Sequence, residues 1–161
     1  MFTGLTADIC RTAWHIVEAA ARQAALDEVT DKSAGSIVVL SPVDGSLLFT
    51  ASIDENNAKA AKYAEFAHAK ADVCWKTGKP SHVVQQSAPH LYQPGMVKWG
   101  GGVVKDGLVV AFSGVQAVFD KTIAWNMLNW IIAICQDEMT KPGGVMESED
   151  DFIPQPHLGI S

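Results

Sequence analysis

Basic residues are scarce: twelve Lys and Arg stand against eighteen Asp and Glu, giving a net charge of −6, and no Lys/Arg cluster occurs anywhere in the chain. Nucleic-acid binders present a basic face to phosphate, so no nucleic-acid partner is expected. Long apolar runs are missing as well. The stretch from Trp125 to Cys135 is short and interrupted by Asn126 and Asn129, too brief to span a bilayer, so no membrane partner is expected. Met1 to Arg11 lacks the basic and apolar regions of a secretory signal, which predicts a cytoplasmic protein. Cysteine is limited to Cys10, Cys74 and Cys135, an odd and widely spaced set without a Cys-x-x-Cys pair. Each lies among apolar helical residues, so buried free thiols are predicted. His15 and Glu18 stand three apart, but Asp8, Arg11 and Arg22 surround them. That pattern describes a wet helix face, and no metal site is expected. Gly100-Gly101-Gly102 precedes a strand instead of a helix, which excludes the dinucleotide fingerprint, and Phe112-Ser113-Gly114 is no nucleophile elbow.

What is present reads as one domain over residues 1–139 and an acidic, Pro-containing tail over 140–161. The 161 residues are 48% hydrophobic and 19% charged, enough for a sizeable core. Two apolar runs flank Lys105-Asp106-Gly107, and Asp-Gly between such runs signals a tight hairpin because Gly accepts the positive φ of the turn. Ser36 to Leu40 and Ser46 to Thr50 form a second hairpin around Pro42-Val43-Asp44-Gly45. A helix is predicted from Thr6 to about Val29, capped by Thr6 and striped by Ile9, Ala13, Ile16, Val17, Ala20 and Ala24. A second, from about Asn56 to Thr77, carries Ala60, Ala64, Ala67, Ala71 and Cys74 on one stripe. The last helix is apolar on two faces, Phe119, Ile123, Met127, Trp130 and Ile134 on one and Ala124, Trp125, Leu128, Ile132 and Cys135 on the other. Such a helix is buried on more than one side, which in a small domain favours a homo-oligomer. Phe152, Ile153 and Leu158 are candidate contacts of the tail with a neighbour. Residues 79–98 show no periodicity, and a structureless loop of that length points to function.

The ordered run of Ile37 to Leu40, Asp44-Gly45, Ile53-Asp54, Lys70-Ala71, Gly101-Gly102, Asp106-Gly107, Ser113-Gly114 and Asp120 resembles the GlcG/HbpS-like family, often described as haem-degrading. The resemblance spans roughly residues 6 to 135. It implies an α+β, profilin-like domain, an antiparallel sheet built from two hairpins with helices packed on it, assembled as a dimer to octamer. It also implies haem or another flat ligand as the bound molecule. The chain departs from the family pattern at Ser41-Pro42 after the first strand and at Val109-Val110-Ala111-Phe112 in the last.

The candidate ligand-binding residues are Lys70, which matches the family's Lys-Ala step, together with Tyr92, Trp99, Gly100, Gly101 and Gly102. Glycines without side chains allow close approach of another backbone or a ligand. His68, His82 and His90 are the candidate acid–base residues, since imidazole titrates near neutral pH; Gln85 and Gln86 stand near His82. Asp120 is expected to stabilise the start of the last helix. The leading expectation is a homo-oligomeric small-molecule-binding protein with haem as one candidate ligand. An enzyme of isomerase or lyase type using His acid–base chemistry in the same pocket is the alternative, and a structural assembly module is the third.

Overall fold

The computed structural model describes residues 1–156. The chain runs α1 (Ala7–Leu26), β1 (Ser36–Leu40), β2 (Leu47–Ser52), α2 (Ala60–Thr77), α3 (Ser81–Ser87), β3 (Gly102–Lys105), β4 (Leu108–Ser113) and α4 (Ala117–Thr140), with 3-10 turns at Pro89–Leu91 and Val145–Glu147. The four strands form one antiparallel sheet of order β2-β1-β4-β3. Each hairpin supplies two neighbours, and β1 joins them by pairing with β4 from Ser36↔Ser113 to Leu40↔Val109. This is the α+β arrangement of two hairpins with packed helices that the sequence predicts.

Alternation along the two central strands separates two apolar layers. Ile37, Val39, Val110 and Phe112 face α1 and α4, whereas Val38, Leu40, Val109 and Ala111 face the Ala67–Ala71–Cys74 stripe of α2. Side chains alternate between faces along a strand, so a strand covered on both faces is apolar along nearly all of its length. Accordingly β1 and β4 are buried at every position.

The Asp106-Gly107 turn has positive φ at both residues, 49° and 82°, the mirror-image turn that matches strand twist. Thr6 caps α1 through its side chain, which accepts from Ile9 N. The buried ridge of α1 is Cys10, Ala13, Trp14, Val17 and Ala21, one step rotated from the predicted stripe. Ile16 is left exposed, because α1 packs on α4 through the Cys10–Trp14–Val17–Ala21 row. α2 starts at Ala60, later than predicted, because Asp54 and Asn57 accept hydrogen bonds from Asn56 N and Lys59 N. Such local turns compete with the helix. The supposed loop 79–98 holds α3 and a 3-10 turn; seven residues are too few for periodicity to reveal a helix.

At the C-terminus, Val145–Glu147 turns back onto α4 with Val145 buried, where an extended tail was predicted. Phe152 is exposed, and Leu158 lies outside the described residues. Cys10 and Cys74 are buried and Cys135 half-buried, all as free thiols. Among the described residues no helix is long and apolar enough to cross a membrane.

Phe112 is the bulkiest of the fully buried side chains. Its replacement by Ala is expected to cost about 3–5 kcal/mol of unfolding free energy. Urea titration should show this as a lowered midpoint with an unchanged slope.

Candidate functional site

Lys70 lies on the buried side of α2 and is only 3% exposed. An uncompensated ammonium there would cost several kcal/mol, and two groups compensate it. Nζ donates to Asp120 Oδ2 at 3.1 Å and to the carbonyl of Phe112 at 3.2 Å. Asp120, on the first turn of α4, is 4% exposed. Its other oxygen accepts from Val115 N at 2.9 Å, so it ties down the entry to α4 as expected and also carries the ion pair. Burial pushes the Lys70 ammonium down from its ordinary value, with Asp120 opposing the shift. Burial likewise raises the Asp120 carboxyl, opposed first by Lys70.

The glycine run explains how a lysine fits there. A Cβ on Gly101, at φ +128°, would stand 2.8 Å from Lys70 Nζ and 2.7 Å from Phe112 O. One on Gly102 would stand 2.7 Å from both Cys74 Sγ and the Lys70 carbonyl. Gly101 and Gly102 therefore serve the close approach of α2, one of the two expected reasons for the run. Ser81 of α3 locks the same place: its hydroxyl accepts from Gly102 N at 2.9 Å and reaches the Gly102 carbonyl at 3.3 Å.

Over the ion pair opens a cavity of about 340 Å³. Lys32, Lys59, Lys62, Tyr63, Phe66 and Trp99 surround its mouth, while Lys70, Gly100, Ser113, Gly114 and Asp120 line its depth. Lysines sit over the aromatic faces: Lys32 Nζ lies 5.8 Å from the Tyr63 ring centre, Lys62 Nζ 5.8 Å from that of Phe66, and Lys98 Nζ 4.8 Å from that of Trp99. These separations fall in the range of cation–π attraction. Four lysines and one carboxylate make this a positive site on a protein of net charge −6.

Of the residues singled out in the sequence, Lys70, Trp99 and Gly100 line this cavity, and Gly101 and Gly102 back it. None of the three candidate histidines lines this cavity. His68 and His90 are exposed. His82 packs behind Gly100, whose added Cβ would meet its Cβ at 3.0 Å. Its Nδ1 is buried without a partner among the described residues, and burial, with Lys121 nearby, pushes its imidazole down. Tyr92 is engaged elsewhere, donating to the Lys98 carbonyl at 3.1 Å.

Lys32, Lys59, Lys62, Tyr63 and Phe66 were not singled out by sequence pattern. Lys59, Lys62, Phe66 and Lys70 nevertheless recur at three- and four-residue spacing, one stripe beside the alanine stripe. That spacing is the signal that could have found them. Among the described residues no group of three or more His, Cys, Asp or Glu is placed to hold a metal. A larger groove, about 590 Å³, runs along the C-terminal half of α4 and is mainly apolar, with Leu5, Leu108, Ile131, Ile132, Cys135 and Met139.

No family model matches the chain, and no curated protein resembles it in sequence at a significant level. Solved structures do. The Klebsiella pneumoniae protein ORFY is 19% identical with a TM-score of 0.56, covering 76% of this chain and 89% of its own. HbpS is 20% identical with a TM-score of 0.56, covering 80% and 91%. PduOC, solved as a haem complex, is 22% identical with a TM-score of 0.50, covering 74% and 91%. The chain shares their fold. The expected resemblance to GlcG/HbpS-like proteins thus holds for the architecture.

Removing one member of the buried pair strands the other. Lys70→Met alone is expected to destabilise by about 3–5 kcal/mol, and Lys70→Met with Asp120→Leu by much less. Thermal unfolding of both variants and of Asp120→Leu alone checks this; a double loss equal to the sum of the two single losses would mean that the two charges are not coupled.

Proposed function

We propose that this chain is a GlcG/HbpS-like small-molecule-binding protein whose ligand is a flat organic anion held over the Lys70–Asp120 pair. The observation that carries the reading is the cavity itself, with lysines and aromatic rings at its mouth and a buried ion pair at its floor. Ring faces accept a planar body by stacking, and ammonium groups accept its carboxylate or phosphate through charge-assisted hydrogen bonds. The apolar groove on α4 offers neither feature; it is the surface through which we place the homo-oligomer.

Haem is one member of the ligand class, and the haem-bound PduOC of similar fold supports it. Among the lining residues Tyr63 alone carries a side chain of the kinds that ligate haem iron, with Lys59 and Lys62 available to the propionates. Bound haem would supply iron redox chemistry. His82 and His90 lie outside this lining. None of His68, His82 and His90 lines this cavity, so acid–base work in it would rest on Lys70 and Asp120.

Calorimetric titration with 4-methylbenzoate, a flat aromatic carboxylate, tests the broad reading. Binding should weaken about tenfold or more in Lys59→Ala/Lys62→Ala, equivalent to about 1.4 kcal/mol or more, and should weaken with added salt. Absence of binding, or indifference to both changes, would overturn the cavity as an anion site. Haem titration tests the narrower form: a Soret shift should vanish in Tyr63→Phe and persist in His90→Ala. Light scattering of the full chain checks self-association, which a monomer at all concentrations would exclude.

A further inference from the structure

Lys70 is a primary amine at the floor of a cavity, and the ion pair alone does not use it fully. As an ammonium Nζ has three protons, and among the described residues two acceptors meet it, Asp120 Oδ2 and Phe112 O. Lys70 nevertheless belongs to the lining of the cavity, together with Gly100, Ser113, Tyr63, Phe66 and Trp99. No Cβ intrudes from Gly101.

On this geometry, and resting on the anion-binding reading above, we propose that Lys70 forms an imine with a flat aromatic or conjugated aldehyde or ketone that carries an anionic group at its far end. The carbonyl end reaches Lys70 at the floor, the ring lies against the aromatic side chains, and the anion meets Lys59 and Lys62 at the mouth. Lys59, the N-cap of α2, and Lys62 in its first turn precede Lys70 by eleven and eight residues, a rise of about 12–16 Å along the helix at about 1.5 Å per residue. The anion therefore belongs several bonds from the carbonyl, which distinguishes this class from 2-oxo acids.

The step is balanced without an oxidant or reductant. The Lys70 ammonium passes one proton to Asp120, and the neutral amine adds to the carbonyl carbon. A C–N bond forms as the C=O π pair moves to oxygen, which takes up a proton from the now positively charged nitrogen to give the neutral carbinolamine. The carbinolamine then loses its hydroxyl as water, using the proton held by Asp120, and the nitrogen lone pair completes the C=N bond. The excess nitrogen proton is returned to the site, so the net change is amine plus carbonyl to imine plus water. Asp120 is placed for both transfers at 3.1 Å, and burial moves the two groups toward proton exchange, lowering Lys70 and raising Asp120. A desolvated lysine is the usual form of an imine-forming amine.

The test uses the full chain with 4-carboxybenzaldehyde and sodium cyanoborohydride, followed by intact mass and peptide mapping. The expected result is one reduced adduct, mapped to Lys70 and formed at least about tenfold faster than on any surface lysine. Asp120→Asn should slow it by about tenfold or more. Lys70→Arg, which keeps the cation but not the nucleophile, should abolish the fast adduct, and the wild-type chain should bind 4-methylbenzoate, which shares the ring and anion but lacks the carbonyl. Wild-type mapping decides the matter even where a variant fails to fold. Binding of 4-methylbenzoate without a Lys70 adduct, or with adducts on Lys59 or Lys62 instead, overturns the imine and leaves the binding function standing. Failure of both ligands overturns the two together.

Discussion

Burial of the Lys70 ammonium constrains the rest of the molecule. Taking an ammonium and a carboxylate out of water costs several kcal/mol each, and the interior returns it only if geometry and extra hydrogen bonds are good. Here the return comes from three elements at once: α2 supplies Lys70, α4 supplies Asp120, and the end of β4 supplies the Phe112 carbonyl. The helices on opposite faces of the sheet are thereby linked at the end of the central strand β4. A helix can bring a lysine that close only where the strand beneath has no side chains, which Gly101 and Gly102 provide.

The same arrangement determines the chemistry on offer. A protein of net charge −6 gathers four lysines around one cavity and balances them with a single carboxylate. Aromatic faces beneath three lysines hold those ammonium groups near the mouth without neutralising them. The cavity is thus a locally positive site on a chain of negative net charge. The thiols take no part: burial pushes Cys10 and Cys74 up to about 12, so neither is a nucleophile near neutral pH.

Local signals account for what is legible along the chain. Asp106-Gly107 marks its hairpin because the turn demands two positive φ values, and the unbroken apolar run from Ile37 to Leu40 in β1 reflects cover on both faces. Where the decisive partner is distant, local pattern is insufficient. Ile16 and Trp14 are both apolar, and only the row presented to α4 decides that Trp14 is inside. α3 is too short to show a period, yet Ser81 holds it against Gly102. His68 and His90 are exposed and His82 sits behind Gly100, and none of the three lines the lysine-rimmed cavity.

By itself the sequence determined the α+β class, both hairpins, the main helices, and the need for something to approach the glycine run, because turn dihedrals and apolar periods are local properties. Tertiary structure alone decided what approaches. Phe112 and Asp120 lie 42 and 50 residues from Lys70 along the chain, and a buried charge chooses its partner by distance and desolvation, neither of which is written in sequence spacing.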